Sequence, residues 1–142
     1  MGDLQSSRRL KYYRTSLKQA DRLVGVIIRS TPIDFRTALN EAPPEPGLYI
    51  IWQRGKTRPL YVGSAVNLRR RLGQHHRGTG RSQFSAWLPL VREDQDPAGY
   101  ADWVSAHCEV QFRPVIERRP RELDMLERLA IGALNPTLQA DH

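Results

Sequence analysis

Glu127 is a carboxylate in an unusual place. On a helix running from Pro120 to about Leu134, with Leu123 set at 0°, Leu134 falls at about 20°, Ala130 at about 340° and Leu126 at about 300°. Glu127 falls at about 40°, inside that apolar stripe, whereas Arg121, Asp124 and Arg128 lie toward the other side. A carboxylate buried there must be protonated, matched to a cation or holding a metal. On an earlier helical segment, Arg71 and His75 lie one turn apart along the edge of the stripe made by Leu68 and Leu72, while Arg69 and Arg70 point away. A guanidinium fixed at Arg71 could neutralise a phosphate or a transition-state charge. An imidazole at His75 could serve as a general acid or base, or pack as a hydrogen-bonded core residue. His75 and His76 are adjacent, do not share a helix face and make a poor zinc pair. Tyr49 and Tyr61 fall in extended runs, where a tyrosine commonly packs with its hydroxyl bonded. Yet a phenol beside a cationic cluster would have its ionised form favoured and could take a proton from water.

These residues need elements to hold them. The runs Gly47 to Gln53 and Leu60 to Ser64, rich in Tyr, Ile, Val and Trp, are joined by the turn-like Arg54-Gly55-Lys56 and predict a β-hairpin. Asn67 as a cap and Gly78-Thr79-Gly80 as a stop predict a helix ending at Arg77. Ser82 to Val91 reads as a short helix, residues 94–99 as a loop and His107 to Arg113 as a third strand. Upstream, Pro43-Pro44-Glu45-Pro46 stops any helix. Residues 1–45 read as an N-terminal helical arm, with Leu10, Tyr13, Leu17, Leu23 and Val24 loosely on one face. Thr31-Pro32 forms a plausible cap and first turn for a short helix ending near Asn40. The expectation is an α+β domain over residues 46–142 that follows the arm.

Charge along the 142 residues is polarised. Between Pro46 and Arg92 there is no Asp or Glu, and nine Lys and Arg give that window +9; the first 45 residues carry +3 and residues 93–142 carry −5. A basic middle is the footprint of a protein that meets polyanions, nucleic acid being the commonest, against the plainer reading of a solvated basic face. A single cysteine, Cys108, excludes an internal disulfide and points to the cytoplasm. The longest apolar run, Leu23 to Ile28, falls far short of the roughly 20 residues that span a bilayer, so no membrane partner is expected.

Gly47-Leu48-Tyr49, eleven residues, then Tyr61-Val62-Gly63 resembles the paired signature of the GIY-YIG nuclease superfamily. Arg71 stands eight residues and His75 twelve residues after Gly63, and Glu127 precedes Pro136 by nine, similar to the family's arginine, its His or Tyr and its metal-binding glutamate. Ala42 to Tyr49 also looks like the start of the amino-terminal nuclease domain of UvrC-type repair proteins. Together these elements cover about residues 42–139. The resemblance implies a small three-stranded antiparallel sheet flanked by helices, and hydrolysis of DNA phosphodiesters with one divalent cation, Mg²⁺ or Mn²⁺, held by Glu127. It also implies that Tyr49 or Tyr61, helped by His75, activates water, and that Arg71 meets the phosphate charge. Lys56, Arg58, Arg69, Arg70, Arg77 and Arg81, all in the basic window, are expected to bind DNA. A homodimer would let so small a nuclease cut both strands. The chain departs from the family at Gln139, where relatives commonly carry Asn, and Asn135 is the nearest substitute. That departure favours the alternative of a non-catalytic DNA- or RNA-binding module on the same fold; a basic structural protein of an RNA assembly is a further rival.

Overall fold

A computed structural model of the chain describes residues 2–80, 82–88, 99–116 and 119–140. Arg81 and most of the expected loop at 94–99 lie outside those residues, as does the end of the helix expected from Ser82. The described elements are α1 (Gly2–Arg29), β1 (Ile33–Asp34), α2 (Phe35–Glu41), β2 (Gly47–Gln53), β3 (Tyr61–Ala65), α3 (Leu68–Arg77), α4 (Gln83–Trp87), α5 (Tyr100–His107), β4 (Cys108–Pro114), α6 (Pro120–Leu134) and α7 (Thr137–Ala140). The architecture is α+β, as expected, but the sheet has four strands in the order β1-β4-β2-β3 rather than three. The additional strand, β1, pairs antiparallel with β4 through Ile33 opposite Val110 and Asp34 opposite Glu109. Two residues are too few to show an alternating pattern.

The Thr31-Pro32 start expected for the short helix is displaced for a related reason. Asp34 ends β1 and its Oδ1 accepts the Thr37 amide at 2.7 Å, so α2 begins at Phe35. α5 is a further element that the residue pattern does not predict; it follows Gly99 without a side-chain cap, although Tyr100, Trp103 and Val104 have helical spacing.

The β2–β3 hairpin is in register with Tyr49 opposite Gly63 and Ile51 opposite Tyr61, and β4 pairs with the other edge of β2. Alternate residues of β2 face opposite layers. Tyr49 and Ile51 join Phe35, Leu68, Leu72, Phe84 and Val104 under α2 to α5, while Leu48 and Ile50 join Ile27, Leu123, Leu126 and Ala130 under α1 and α6. Both faces of β2 are therefore covered, which accounts for its unbroken apolar run. Buried Gln111 of β4 ties α1 to the sheet: its amide donates to the carbonyls of Ile28 at 2.9 Å and Ser30 at 2.6 Å, and its oxygen accepts the Trp52 indole N–H at 2.9 Å. No helix among the described residues is long and apolar enough to cross a membrane.

Candidate active site

Each expected site residue reaches its place through a separate local cause. Asn67 Oδ1 accepts the Arg70 amide at 3.0 Å and starts α3, Leu68 and Leu72 anchor it in the core, and Gly78 in the left-handed conformation (φ 70°) ends it. That orientation turns His75 fully inward, leaves Arg71 half-buried and exposes Arg69 and Arg70. On α6, Leu123, Leu126 and Ala130 are buried and Glu127 is half-buried beside them, with Arg121, Asp124 and Arg128 exposed. Tyr49, Tyr61, Arg71, His75 and Glu127 line one polar cleft of about 240 Å³, together with Ser64 and Gln83.

Both signature glycines have steric reasons. A Cβ at Gly63 would lie 2.3 Å from the Tyr49 hydroxyl oxygen, and one at Gly47 would lie 2.4 Å from the Arg113 carbonyl oxygen and 2.5 Å from Leu68 Cδ1. Missing side chains at these positions let the Tyr49 ring cross to β3 and let α3 pack close to the start of β2.

Tyr49, His75 and Ser82 form a buried chain. Tyr49 Oη lies 2.6 Å from His75 Nε2, and His75 Nδ1 lies 2.7 Å from Ser82 Oγ, which also accepts the Ser85 amide at 3.0 Å. The Tyr100 hydroxyl donates to the His75 carbonyl, fixing the backbone of that turn from α5. Phe84 and Tyr61 meet the His75 ring edge-on at centroid distances of 5.5 and 5.4 Å. Burial, assisted by the Arg71 charge, pushes His75 down to about 3, so the imidazole is neutral at ordinary pH. A neutral ring accepts at one nitrogen and donates at the other, which makes the chain continuous.

The phenols differ from expectation. Burial, reinforced by the Glu127 charge, raises Tyr61 to about 12, and burial with Tyr61 as a neighbour raises Tyr49 well above its usual value; Arg71 opposes both shifts without overcoming them. A cation nearby favours ionisation, but desolvation of the phenolate is the larger effect.

Ser64 bonds both carboxylate oxygens of Glu127, and Asp124, one turn earlier on α6, adds a side-chain hydrogen bond and a like charge. Glu127 Oε1 accepts the Ser64 amide and its Oε2 the Ser64 hydroxyl, each at 3.1 Å. Burial raises its carboxyl above the usual range, and the two Ser64 bonds oppose that rise. Among the described residues it forms no ion pair. Nor do three or more His, Cys, Asp or Glu converge among them. A carboxylate facing a polar cleft without a cationic partner fits a hard cation that takes its remaining oxygens from water and phosphate, as Mg²⁺ commonly does.

The expected DNA-binding residues divide. Arg70 and Arg71 line a hollow of about 480 Å³ with Ala65, Val66, Asn67 and Gln74, so Arg71 borders both it and the cleft. Lys56 and Arg58 line a different hollow beside Gln53 and Thr137, and Arg58 Nε donates to the Asn135 carbonyl at 2.6 Å. Arg69 Nε donates to the Ala42 carbonyl at 2.8 Å. Arg77 is exposed at the end of α3.

Gln139 also has a place. Its amide oxygen accepts the Val62 N–H at 2.9 Å and its amide nitrogen donates to the Val62 carbonyl at 2.7 Å, so it covers the outer edge of β3. Asn135 occupies the left-handed cap of α6 (φ 52°). Neither residue lines the cleft. Ser64, Ser82 and Gln83 are site residues that the sequence reading missed. Ser64 directly follows a signature glycine, and Ser82 starts a helix, but nothing in their spacing points to a carboxylate or an imidazole.

Residues 45–109 match the family model described as the GIY-YIG catalytic domain. Among curated proteins the chain is similar to excinuclease Cho of Salmonella typhi, 46% identical over 46 residues, which is 32% of this chain and 16% of the relative. Excinuclease Cho of Escherichia coli K12 is 41% identical over 46 residues, again 32% of this chain and 16% of the relative. The chain thus matches about a sixth of the length of these relatives. Among solved structures it resembles the GIY-YIG N-terminal endonuclease domain of UvrC from Thermotoga maritima bound to its catalytic divalent cation, magnesium, at 22% identity and a TM-score of 0.47, covering 73% of this chain and 93% of that one. A point mutant of the same domain gives 23% identity and a TM-score of 0.48, covering 73% of this chain and 92% of that one.

Proposed function

We propose that the chain, whose residues 45–109 match the GIY-YIG catalytic domain, is a metal-dependent endonuclease that hydrolyses DNA phosphodiester bonds in the cleft between β2, β3, α3 and α6. The observation that carries this reading is that two phenols, a guanidinium, an imidazole and a carboxylate from four elements line one small polar cleft.

Glu127 would hold a divalent cation, Mg²⁺ or Mn²⁺. Such an ion would supply Lewis-acid activation and offset phosphate charge. Arg71 donates to the phosphate as negative charge builds on its oxygens, a kind of contact whose removal lowers turnover by about 100-fold or more. Tyr61 is the phenol that meets the attacking water, because Tyr49 Oη is already bonded to His75 and packed against Gly63. With Tyr61 at about 12, its resting form is the neutral phenol, whose oxygen orients the attacking water by accepting a hydrogen bond from it. His75, neutral and bonded on both nitrogens, holds Tyr49 in place. Arg70 contacts the phosphate backbone from the adjoining hollow.

Gln139, the departure that motivates the non-catalytic alternative, bonds Val62 at the β3 edge outside the cleft. Incubation of supercoiled plasmid with the chain distinguishes the two readings. Nicked circles in Mg²⁺ and none in EDTA are expected; plasmid bound but intact in Mg²⁺ would mark a binding module.

A further inference from the structure

β3 is an outer strand of the sheet, and its free edge presents backbone groups with no neighbouring strand to receive them. Side chains from the C-terminal helices take that role at alternate residues. Gln139 bonds both backbone groups of Val62, and two residues on, the Glu127 carboxylate accepts the Ser64 N–H. Ser64 then adds a second bond from its hydroxyl to the other carboxylate oxygen.

We propose that Ser64 is the positioning residue for the cation-binding carboxylate, gripping both oxygens of Glu127 from the edge of β3 and presenting their remaining lone pairs to a divalent ion in the cleft. This rests on the reading of Glu127 as the residue that holds the ion. A glutamate side chain loses considerable rotamer freedom when ordered, and a carboxylate that alone anchors an ion gains most from being ordered beforehand. The two donors are well suited to this. Each carboxylate oxygen has two acceptor sites, and Ser64 occupies only one on each. The backbone donor is supplied by any residue but proline at position 64, whereas the aliphatic hydroxyl requires Ser or Thr.

The test measures Mn²⁺ binding to the full chain without DNA by electron paramagnetic resonance, alongside thermal melting in EDTA. Ser64→Ala keeps the amide bond and loses the hydroxyl; its Mn²⁺ affinity should fall by about 10-fold, the lower end of what removal of such outer contacts produces. Ser64→Thr should restore most of that affinity, and both variants should melt close to wild type in EDTA. In cleavage assays the metal concentration for half-maximal rate should rise in Ser64→Ala, with the rate at saturating metal less affected. Equal Mn²⁺ affinity in wild type and Ser64→Ala, with wild type still cleaving, overturns the role of Ser64 alone. A wild-type chain that neither binds Mn²⁺ nor cleaves overturns the metal reading and this proposal with it.

Discussion

His75 carries a consequence beyond hydrogen bonding. An unfolded histidine titrates near its ordinary value of about 6.5, whereas the folded chain holds His75 at about 3. Between those values the unfolded chain binds a proton at His75 that the folded chain does not, so the contribution of His75 to stability is complete above pH 6.5 and is lost as pH falls toward 3. The ring is bordered by the phenols of Tyr49 and Tyr61, the Ser82 hydroxyl, Phe84 and Arg71, and Glu127 shares the cleft; the carboxyl is present in wild type and His75→Phe alike, so their difference reads His75. Urea unfolding of wild type and His75→Phe at pH 7 and pH 4.5 should show a smaller loss in the variant, by on the order of 1 kcal/mol per pH unit. Identical losses would contradict the buried, neutral imidazole. At this scale Glu127, Arg71 and His75 were legible because helical angles depend only on spacing. The phenols were misjudged because a sequence shows that Arg71 is near but not how much water is excluded. Ser64 was illegible, since one of its two bonds to Glu127 comes from the backbone.

The elements were readable where they announce their ends. β2 spans Gly47–Gln53 and α6 spans Pro120–Leu134, as the residue pattern predicts, and α3 begins after Asn67 and stops at Gly78. β1 and α5 lack such signals, one being two residues long and the other uncapped. The hairpin depends on a packing detail inside the signature. Gly63→Ala would set a methyl 2.3 Å from a hydroxyl that burial and His75 hold still. Overpacking of this kind destabilises by about 1–3 kcal/mol, so melting should fall and the Tyr49 to His75 contact should be displaced. Gly55→Ala is the control: it meets no atom within 4 Å but sits at φ 78° on the β2–β3 connection, so it should strain the turn and leave the cleft intact. Equal melting of Gly63→Ala and wild type would mean that the phenol does not need the space.

Across the whole molecule, the acid-free window from Pro46 to Arg92 resolves into arginines with different surroundings. Composition could show that the middle of the chain is basic, but not which guanidinium a carbonyl already engages. Arg70 borders the hollow beside the cleft, and Arg69 is turned to the Ala42 carbonyl. Arg70→Ala should therefore weaken duplex binding and lower the slope of log affinity against log salt by about 0.9, the value for one lost phosphate contact, with a smaller change for Arg69→Ala. An unaltered slope in Arg70→Ala would return it to ordinary surface charge. The central claim is that this basic face delivers DNA to a carboxylate-anchored cation and to Arg71. The most direct measurement is single-turnover cleavage of a labelled duplex in Mg²⁺ by wild type, Glu127→Gln and Arg71→Ala, with duplex binding and melting measured in EDTA. Cleavage should be lost in Glu127→Gln and reduced about 100-fold or more in Arg71→Ala, while Glu127→Gln still folds and binds; cleavage at the wild-type rate by either folded variant would contradict the account.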